Sequence, residues 1–147
     1  MRRMTSIRLP AGYTVSTDPT LLDRESVHRW LSEDSYWALG RPREKQDRAI
    51  DHSLNFGLYE DASGAQVGYA RVVTDHATFA WLCDVYIARE ARGRGLGTAL
   101  TAAVRDGLAE LGLRRLLLAT RDAHEVYAKV GFAPLALPEK WMLLGEQ

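Results

Sequence analysis

The segment RGRGLGT, residues 92–98, contains three glycines within five residues and an arginine on each side of the first. Glycine in a regular element costs roughly 0.5–1 kcal/mol relative to alanine, so a cluster this dense indicates an unusual backbone or a close ligand. The apolar stretch FAWLCDVYI precedes the cluster, and an amphipathic helical pattern follows it. Backbone N–H groups at such a strand-to-helix turn attract phosphate. The segment therefore predicts a phosphate-binding turn.

Two common nucleotide-binding motifs do not fit this turn. Thr98 follows Gly97 directly, so the lysine of a P-loop is missing. Thr98 also stands where a dinucleotide-binding motif has its third glycine, and no early acidic strand end follows. A tight turn without a ligand and an RNA-binding RGRG segment remain as alternatives. The formal net charge of zero, from 19 basic and 19 acidic residues, disfavours RNA binding.

The remaining reactive side chains are few. Cys83 is the only cysteine, which excludes an internal disulfide and a cysteine-rich metal site, and we expect a buried, inert thiol and no metal. His28 and His52 fall on predicted helices and are expected to be surface or packing residues. His76 and His124 remain candidates for proton transfer.

The elements around the turn predict a mixed α/β sheet with helices on both faces, in the order β-α-α-β-β-β-α-β-α-β-β. Strands are predicted in GYTVSTD, NFGLYED, VGYARVVTD, TFAWLCDVYI, RRLLLAT, FAPLAL and KWMLL. Helices are predicted in DRESVHRWLSE after an Asp23 cap, over 43–53, from Leu96 to Gly112, and in DAHEVYAKV up to Gly131. The strand TFAWLCDVYI is nearly continuous in apolar residues, which predicts burial on both faces. The helix after it makes a right-handed crossover to a parallel strand.

Composition limits the class of protein. A length of 147 residues suits a single domain, residues 1–147, and 46% hydrophobic with 26% charged residues is typical of soluble globular proteins. No apolar run approaches the ~20 residues of a membrane span, and MRRMTSIRLPAG lacks the apolar part of a secretory signal. We therefore expect a cytoplasmic protein that binds neither nucleic acid nor membrane. The preference for arginine over lysine is typical of a GC-rich bacterial genome.

Two motifs together resemble one family. DVYIAREARGRGLGTAL resembles the pyrophosphate-binding motif of the GNAT superfamily of acetyl-CoA-dependent N-acyltransferases, Arg/Gln-x-x-Gly-x-Gly/Ala, through Arg92, Gly95 and Gly97. AHEVYAKVGF is similar to a later helix of that family, with Tyr127 four residues before the Gly-Phe pair. The predicted order of elements is also similar over essentially the whole chain. The resemblance implies a GNAT-like central mixed sheet of about seven strands flanked by about four helices.

The resemblance implies that acetyl-CoA lies in a cleft where parallel strands ending near Ile87 and Thr120 splay apart. The backbone of Val85 and Ile87 would pair with the pantetheine arm, and amides of the glycine-rich turn would hold the pyrophosphate. The implied cofactor-binding residues are Val85, Tyr86, Ile87, Arg92, Gly93, Arg94, Gly95, Leu96, Gly97 and Thr98.

The resemblance also implies catalytic roles. Tyr127 would protonate the departing thiolate, since its ordinary pKa of about 10 keeps the phenol protonated at neutral pH. The alternative is a core role, because Tyr127 shares a helical face with Ala123, Val126 and Val130. The oxyanion would rest on the backbone N–H of Val85.

Asp84 is the candidate general base. Many relatives carry an acidic pair late in this strand, and Cys83 occupies the first of those places here. This departure leaves open whether Asp84 accepts a proton through water or only attracts the amine.

The loop EDSYWALGRP lies where relatives commonly build the acceptor site, and its candidate substrate residues are Glu33, Tyr36 and Trp37. Acidic and aromatic side chains suit a cationic amine, and they equally suit a solvated loop. We predict an N-acetyltransferase that acts on a primary amine of a small molecule or peptide. The alternative is a catalytically silent acyl-CoA-binding sensor or interaction domain. A homodimer is possible, because homodimers are frequent among similar proteins.

Overall fold

A computed structural model describes residues 6–9 and 11–146. These residues form six strands that lie side by side in chain order: β1 (Ser6–Leu9), β2 (Tyr13–Ser16), β3 (Leu54–Glu60), β4 (Gln66–Thr74), β5 (Phe79–Ile87) and β6 (Arg115–Leu117). Neighbouring strands are antiparallel, except that β5 and β6 are parallel. The mixed sheet and its parallel crossover confirm the predicted fold class.

The described residues also form four α-helices: α1 (Arg24–Asp34), α2 (Arg43–Asp51), α3 (Leu96–Leu108) and α4 (His124–Ala128). The carboxylate of Asp23 accepts a hydrogen bond from the Ser26 N–H at 3.1 Å, so Asp23 caps α1 as the sequence predicts. No helix in the described ranges is both long and apolar enough to cross a membrane.

Two apolar clusters lie on opposite faces of the sheet. The larger cluster packs α3 against the strands and includes Ala70, Leu82 and Leu100. The smaller cluster packs α1 and α2 and includes Tyr69. Because neighbouring strand residues point to opposite faces, Tyr69 and Ala70 show that helices cover both sides of β4.

Strand β5 differs from the prediction of burial on both faces. Its residues alternate between buried and half-buried along the whole strand. The half-buried positions Trp81, Cys83, Val85 and Ile87 border a cavity, and for this reason the apolar run is not fully enclosed. Cys83 is half-buried rather than fully buried for the same reason.

The prediction of about seven strands was wrong at both ends of the chain. FAPLAL and KWMLL form no strand, and residues 132–146 contain only a short 3-10 turn, Pro138–Lys140. β6 is three residues long, so it offers little paired edge for a further strand, and Pro134 and Pro138 lack the N–H that a strand needs. Met142 and Leu144 are almost fully exposed in this segment. β1 lies before the first strand that the sequence predicts, and it pairs with β2.

Candidate active site

Strand β5 carries an extra residue where it pairs with β4. The step from Tyr69 to Arg71 on β4 lies opposite the longer step from Tyr86 to Cys83 on β5. Inside this β-bulge, Asp84 has a left-handed φ of 52°. Bulges bend a strand, re-aim its side chains and are frequent beside active sites.

The bulge changes which face of the sheet β5 presents. Leu82, before the bulge, packs in the cluster under α3, whereas Tyr86, after it, packs in the cluster under α1 and α2. Without an inserted residue, two positions separated by an even number of residues would point to the same face. The bulge therefore turns the Asp84 region toward the loop that joins α1 and α2.

A cavity of about 1030 Å³ opens where β5 and the chain after β6 diverge. β6 pairs only with Phe79, Ala80 and Trp81, so the rest of β5 has no strand neighbour on that edge. The lining comes from β5, the α1–α2 loop, residues 119–123 and α4 through Tyr127, together with Asp34 at the end of α1, Arg71 on β4 and Arg92. The cavity lies in the place predicted for the cleft between Ile87 and Thr120.

The free edge of β5 presents backbone groups to this cavity. The N–H of Ala88 donates to the Val67 carbonyl at 2.8 Å, so residue 88 points toward β4. Successive residues of a strand direct their N–H and C=O groups to alternate edges. Ile87 and Val85 therefore point away from β4, and the Ile87 carbonyl accepts a hydrogen bond from Arg92 Nε at 2.9 Å.

The glycine-rich turn adopts the backbone that its sequence predicts. Gly93 and Gly95 have φ values of 81° and 73°, in the left-handed region that other residues rarely occupy. Gly95 precedes the first residue of α3, no side chain caps the N–H groups of the first turn, and no acidic residue lies there. Residues 92–95 are exposed. The unsatisfied N–H groups and the helix dipole suit this turn to an anion.

The predicted cofactor-binding residues fall into two groups. Val85, Tyr86, Ile87 and Arg92 line the cavity. Gly93, Arg94, Gly95, Leu96, Gly97 and Thr98 form the turn and the first turn of α3. The Leu96 side chain is buried in the core, and Arg94 donates to the Tyr13 hydroxyl at 2.7 Å.

Asp84 is buried at the centre of a hydrogen-bonded cluster. Its Oδ2 accepts from Arg41 Nη1 and from Arg71 Nε, both at 2.8 Å. Its Oδ1 accepts from the indole N–H of Trp37 at 2.8 Å. Gln46 accepts a further hydrogen bond from Arg41 at 2.9 Å and so fixes that guanidinium.

This cluster decides the protonation state of Asp84. Burial opposes ionisation, but hydrogen bonds from Arg41 and the charge of Arg71 outweigh it, and the pKa of the carboxyl is lowered. The carboxylate is thus a weak proton acceptor with its oxygens occupied. Burial also raises the pKa of the neighbouring Cys83 thiol to about 11, so Cys83 stays protonated at neutral pH.

Tyr127 lines the cavity from α4, and its ring packs against Phe132 with 5.8 Å between ring centroids. Burial raises its pKa to about 12. Its hydroxyl has no hydrogen-bond partner among residues 6–9 and 11–146. The ring therefore packs against the core, and the residue also borders the cavity.

Two of the three predicted substrate residues, Tyr36 and Trp37, lie in the α1–α2 loop and line the cavity. Glu33 lies in the last turn of α1 rather than in the loop, is exposed and is not a lining residue. The guanidinium of Arg121 lies 3.9 Å from the centroid of the Tyr36 ring, and the Tyr36 hydroxyl accepts from the Arg121 N–H at 2.9 Å. Asp34 also borders the cavity, but it pairs with Arg89 and accepts from the Tyr86 hydroxyl.

Sequence reasoning missed Arg41 and Arg71. One signal was present for Arg71: a charged residue interrupts the apolar run VGYARVV of an interior strand, where an unpaired charge is costly. No comparable indication in the sequence pointed to Arg41, because arginine is common in surface loops. Among the described residues, no histidine lines the cavity, and no cluster of three potential metal ligands occurs.

Comparisons with known proteins agree with this geometry. The family model described as the Acetyltransferase (GNAT) family matches residues 24–132. A candidate acetyltransferase from Gibberella zeae is 34% identical over 135 residues, covering 80% of this chain and 76% of the relative.

Solved structures share the fold. The crystal structure of a candidate GNAT-family acetyltransferase from Xanthomonas campestris pv. campestris has a TM-score of 0.84 and 48% identity, covering 91% of this chain and 93% of that chain. N-acetylglutamate synthase from Neisseria gonorrhoeae, solved with coenzyme A and N-acetyl-glutamate, has a TM-score of 0.61 and 22% identity, over 95% of this chain and 30% of that chain. The second likeness concerns the fold alone.

Proposed function

This chain belongs to the acetyltransferase (GNAT) family, and on that premise we propose that it transfers the acetyl group of acetyl-CoA directly to a primary amine. The observation that carries the proposal is the cavity along the free edge of β5, whose lining reaches Arg92, just before the uncapped start of α3. One end of such a site suits an extended amide-bearing arm, and the other suits a diphosphate.

In this proposal, backbone groups of Val85 and Ile87 bind the pantetheine arm, and N–H groups of residues 93–98 bind the diphosphate. The left-handed glycines and the exposure of residues 92–95, just before α3, support this placement. The thioester supplies an activated acetyl group when acetyl-CoA is bound. The site then has to hold a neutral amine beside it, stabilise the oxyanion and protonate the thiolate.

We assign the protonation to Tyr127. The amine nitrogen bonds to the acetyl carbon, the carbon–sulfur bond breaks, and the phenol gives its proton to the departing sulfur. The unpartnered hydroxyl supports this role, and the raised pKa keeps the phenol protonated at neutral pH. The backbone N–H of Val85, on the free edge of β5, is the proposed oxyanion donor.

Asp84 receives a different role from the one considered first. Its oxygens accept hydrogen bonds from Trp37, Arg41 and Arg71, and its pKa is lowered. We therefore assign it as a positioning residue that fixes these three side chains in the cavity wall. The proton of the amine then leaves to water in the cavity.

A catalytically silent acyl-CoA sensor is the second candidate, and the occupied carboxylate of Asp84 favours it. Calorimetry with acetyl-CoA, combined with an assay of free CoA release over a panel of primary amines, separates the two. Binding followed by amine-dependent CoA release supports the transferase. Binding without release above the amine-free rate supports the sensor, and no binding overturns both.

The acceptor class, the partners, the location and the oligomeric state are also proposals. The acceptor is a small-molecule or peptide amine, and the protein acts without nucleic acid, membrane or metal. We also propose that the protein is bacterial, that it is located in the cytoplasm and that it forms a homodimer. The exposed apolar side chains of Leu137, Met142 and Leu144 support self-association, which analytical ultracentrifugation measures directly.

A further inference from the structure

Two arginines share one buried carboxylate in the cavity wall. The side chains of Arg41 and Arg71 are 17% and 15% exposed, and that of Asp84 is 1% exposed. One carboxylate balances one guanidinium, so the cluster carries a surplus positive charge. A partly buried charge without a counter-charge is costly, and such sites favour an oppositely charged partner.

The two guanidinium groups also have hydrogen-bonding capacity left. Arg71 donates from Nε to Asp84 and from Nη1 to Ser53, and its Nη2 contacts no acceptor in the part of the chain that the structure describes. Arg41 uses Nη1 and Nη2, which leaves its Nε without a described acceptor. Both residues line the cavity. An anion entering the cavity can therefore accept hydrogen bonds from a preorganised positive wall.

Other charges around the cavity do not cancel this surplus. Asp34 is already paired with Arg89 and Arg92. Asp122 is an exposed residue of the opposite wall, as is Arg121, which lies over the Tyr36 ring. The phosphates of coenzyme A are assigned to the turn after β5, so they are not the anion that Arg41 and Arg71 meet. The ligand for this wall is then the acceptor.

This inference rests on the proposed function: we propose that the acceptor carries an anionic group close to its amine, and that Arg71 and Arg41 bind that group. A carboxylate and a phosphate share the required chemistry, since guanidinium groups bind either through paired hydrogen bonds. Arg71 Nε hydrogen-bonds Asp84, the residue before Val85, whose N–H is the proposed oxyanion donor. The anionic group and the amine are therefore expected on the same small acceptor.

The test compares matched acceptors with and without the anion. The kcat/KM values for L-amino acids are measured beside those for their carboxamides, and phosphoethanolamine is measured beside ethanolamine, at a pH above the pKa of each amine. We expect one anionic series to be favoured by about 10–100-fold, the range of charge-assisted hydrogen bonds. The series that is favoured identifies the carboxylate or the phosphate. Equal values for the anionic and neutral members would overturn the inference and leave the transferase assignment intact.

Substitutions of Arg71 test whether this residue causes the preference for anionic acceptors. Arg71→Met is expected to abolish the preference through a raised KM for the anionic acceptor, and Arg71→Lys to keep part of it. Arg43→Met is the control, because Arg43 lies on α2, pairs with Asp47 and is absent from the cavity wall. An unchanged preference in folded Arg71→Met would remove Arg71 from the acceptor site.

A binding measurement separates this inference from the function. Calorimetry titrates the amino acids and phosphoethanolamine into the protein saturated with coenzyme A, where no transfer occurs. Binding that disappears in Arg71→Met supports the anion site, whether or not any amine is acetylated. Absence of acetylation for every amine would overturn the transferase assignment and leave this result standing. Absence of binding together with absence of any preference in turnover would overturn the anion site.

Discussion

Arg71 Nε lies 2.8 Å from Asp84 Oδ2, and this hydrogen bond joins β4 to the bulge of β5. Through this bond, the pairing of β4 with β5 fixes two charged side chains of the cavity wall. Asp84 is held in an ion pair, and Arg71 is held where it lines the cavity. A residue that the sequence suggests as a base thus belongs to the wall that positions other groups.

Replacement of Asp84 by asparagine is expected to destabilise the fold. The substitution leaves two partly buried guanidinium groups without a carboxylate, and breaking a buried ion pair costs about 3–5 kcal/mol. Urea unfolding at neutral pH measures the loss. Asp106→Asn is the control, because Asp106 forms an exposed pair with Arg105, where a loss below about 1 kcal/mol is expected. Equal stability of Asp84→Asn and the parent chain would contradict the buried cluster.

The same pair predicts how stability depends on pH. The pKa of Asp84 is lowered in the folded chain, so its contribution is fully present above the ordinary value of about 3.9. The contribution is lost as pH falls from that value through the lower folded pKa. The difference in unfolding free energy between the parent chain and Asp84→Asn should therefore shrink below about pH 4. A difference that grows on acidification would show that the carboxyl is not stabilised in its ionised form.

Tyr127→Phe is expected to lower turnover by about 10²–10⁴-fold, the usual range for loss of a general acid. The ring still packs against Phe132, so acetyl-CoA affinity and thermal stability should change little. Steady-state CoA release measures turnover, and calorimetry measures the affinity. A parent-like rate would assign Tyr127 to the core alone.

Gly97→Glu is expected to abolish acetyl-CoA binding, because a carboxylate would lie beside the N–H groups proposed for the diphosphate. Gly97 has no positive φ, and an added Cβ would lie 3.9 Å from Ile87, so the backbone accommodates a side chain. Gly97→Ala is therefore a matched control that should bind normally. Normal binding by folded Gly97→Glu would place the cofactor elsewhere.

The pH profile of kcat/KM should follow the acceptor. No described histidine lines the cavity and Asp84 stays ionised, so the rising limb is expected to shift with the pKa of each amine tested. Tyr127 remains protonated until the pH approaches about 12, so it should cause no falling limb near neutrality. Rates for a series of amines of different pKa measure this. A rising limb at one fixed pH for every amine would instead reveal a base on the protein.

The sequence predicted those elements correctly whose structure depends only on residues close along the chain. The glycines of the turn occupy left-handed backbone, and the apolar spacing of α3 faces the core, because both are set within a few residues. The prediction of two C-terminal strands was wrong because a strand depends on residues that are distant along the chain. FAPLAL and KWMLL are apolar enough for strands, but a strand exists only beside a neighbour, and the short β6 offers little paired edge.

The sequence alone therefore determined the family, the order of most elements and the backbone of the glycine-rich turn, since each depends on residue types at short spacing. Only the tertiary structure decided the state of Asp84. Its partners Arg41 and Arg71 lie 43 and 13 residues away along the chain. Pairing of distant strands, with one extra residue in β5, brings these charges together, and no local pattern encodes that register.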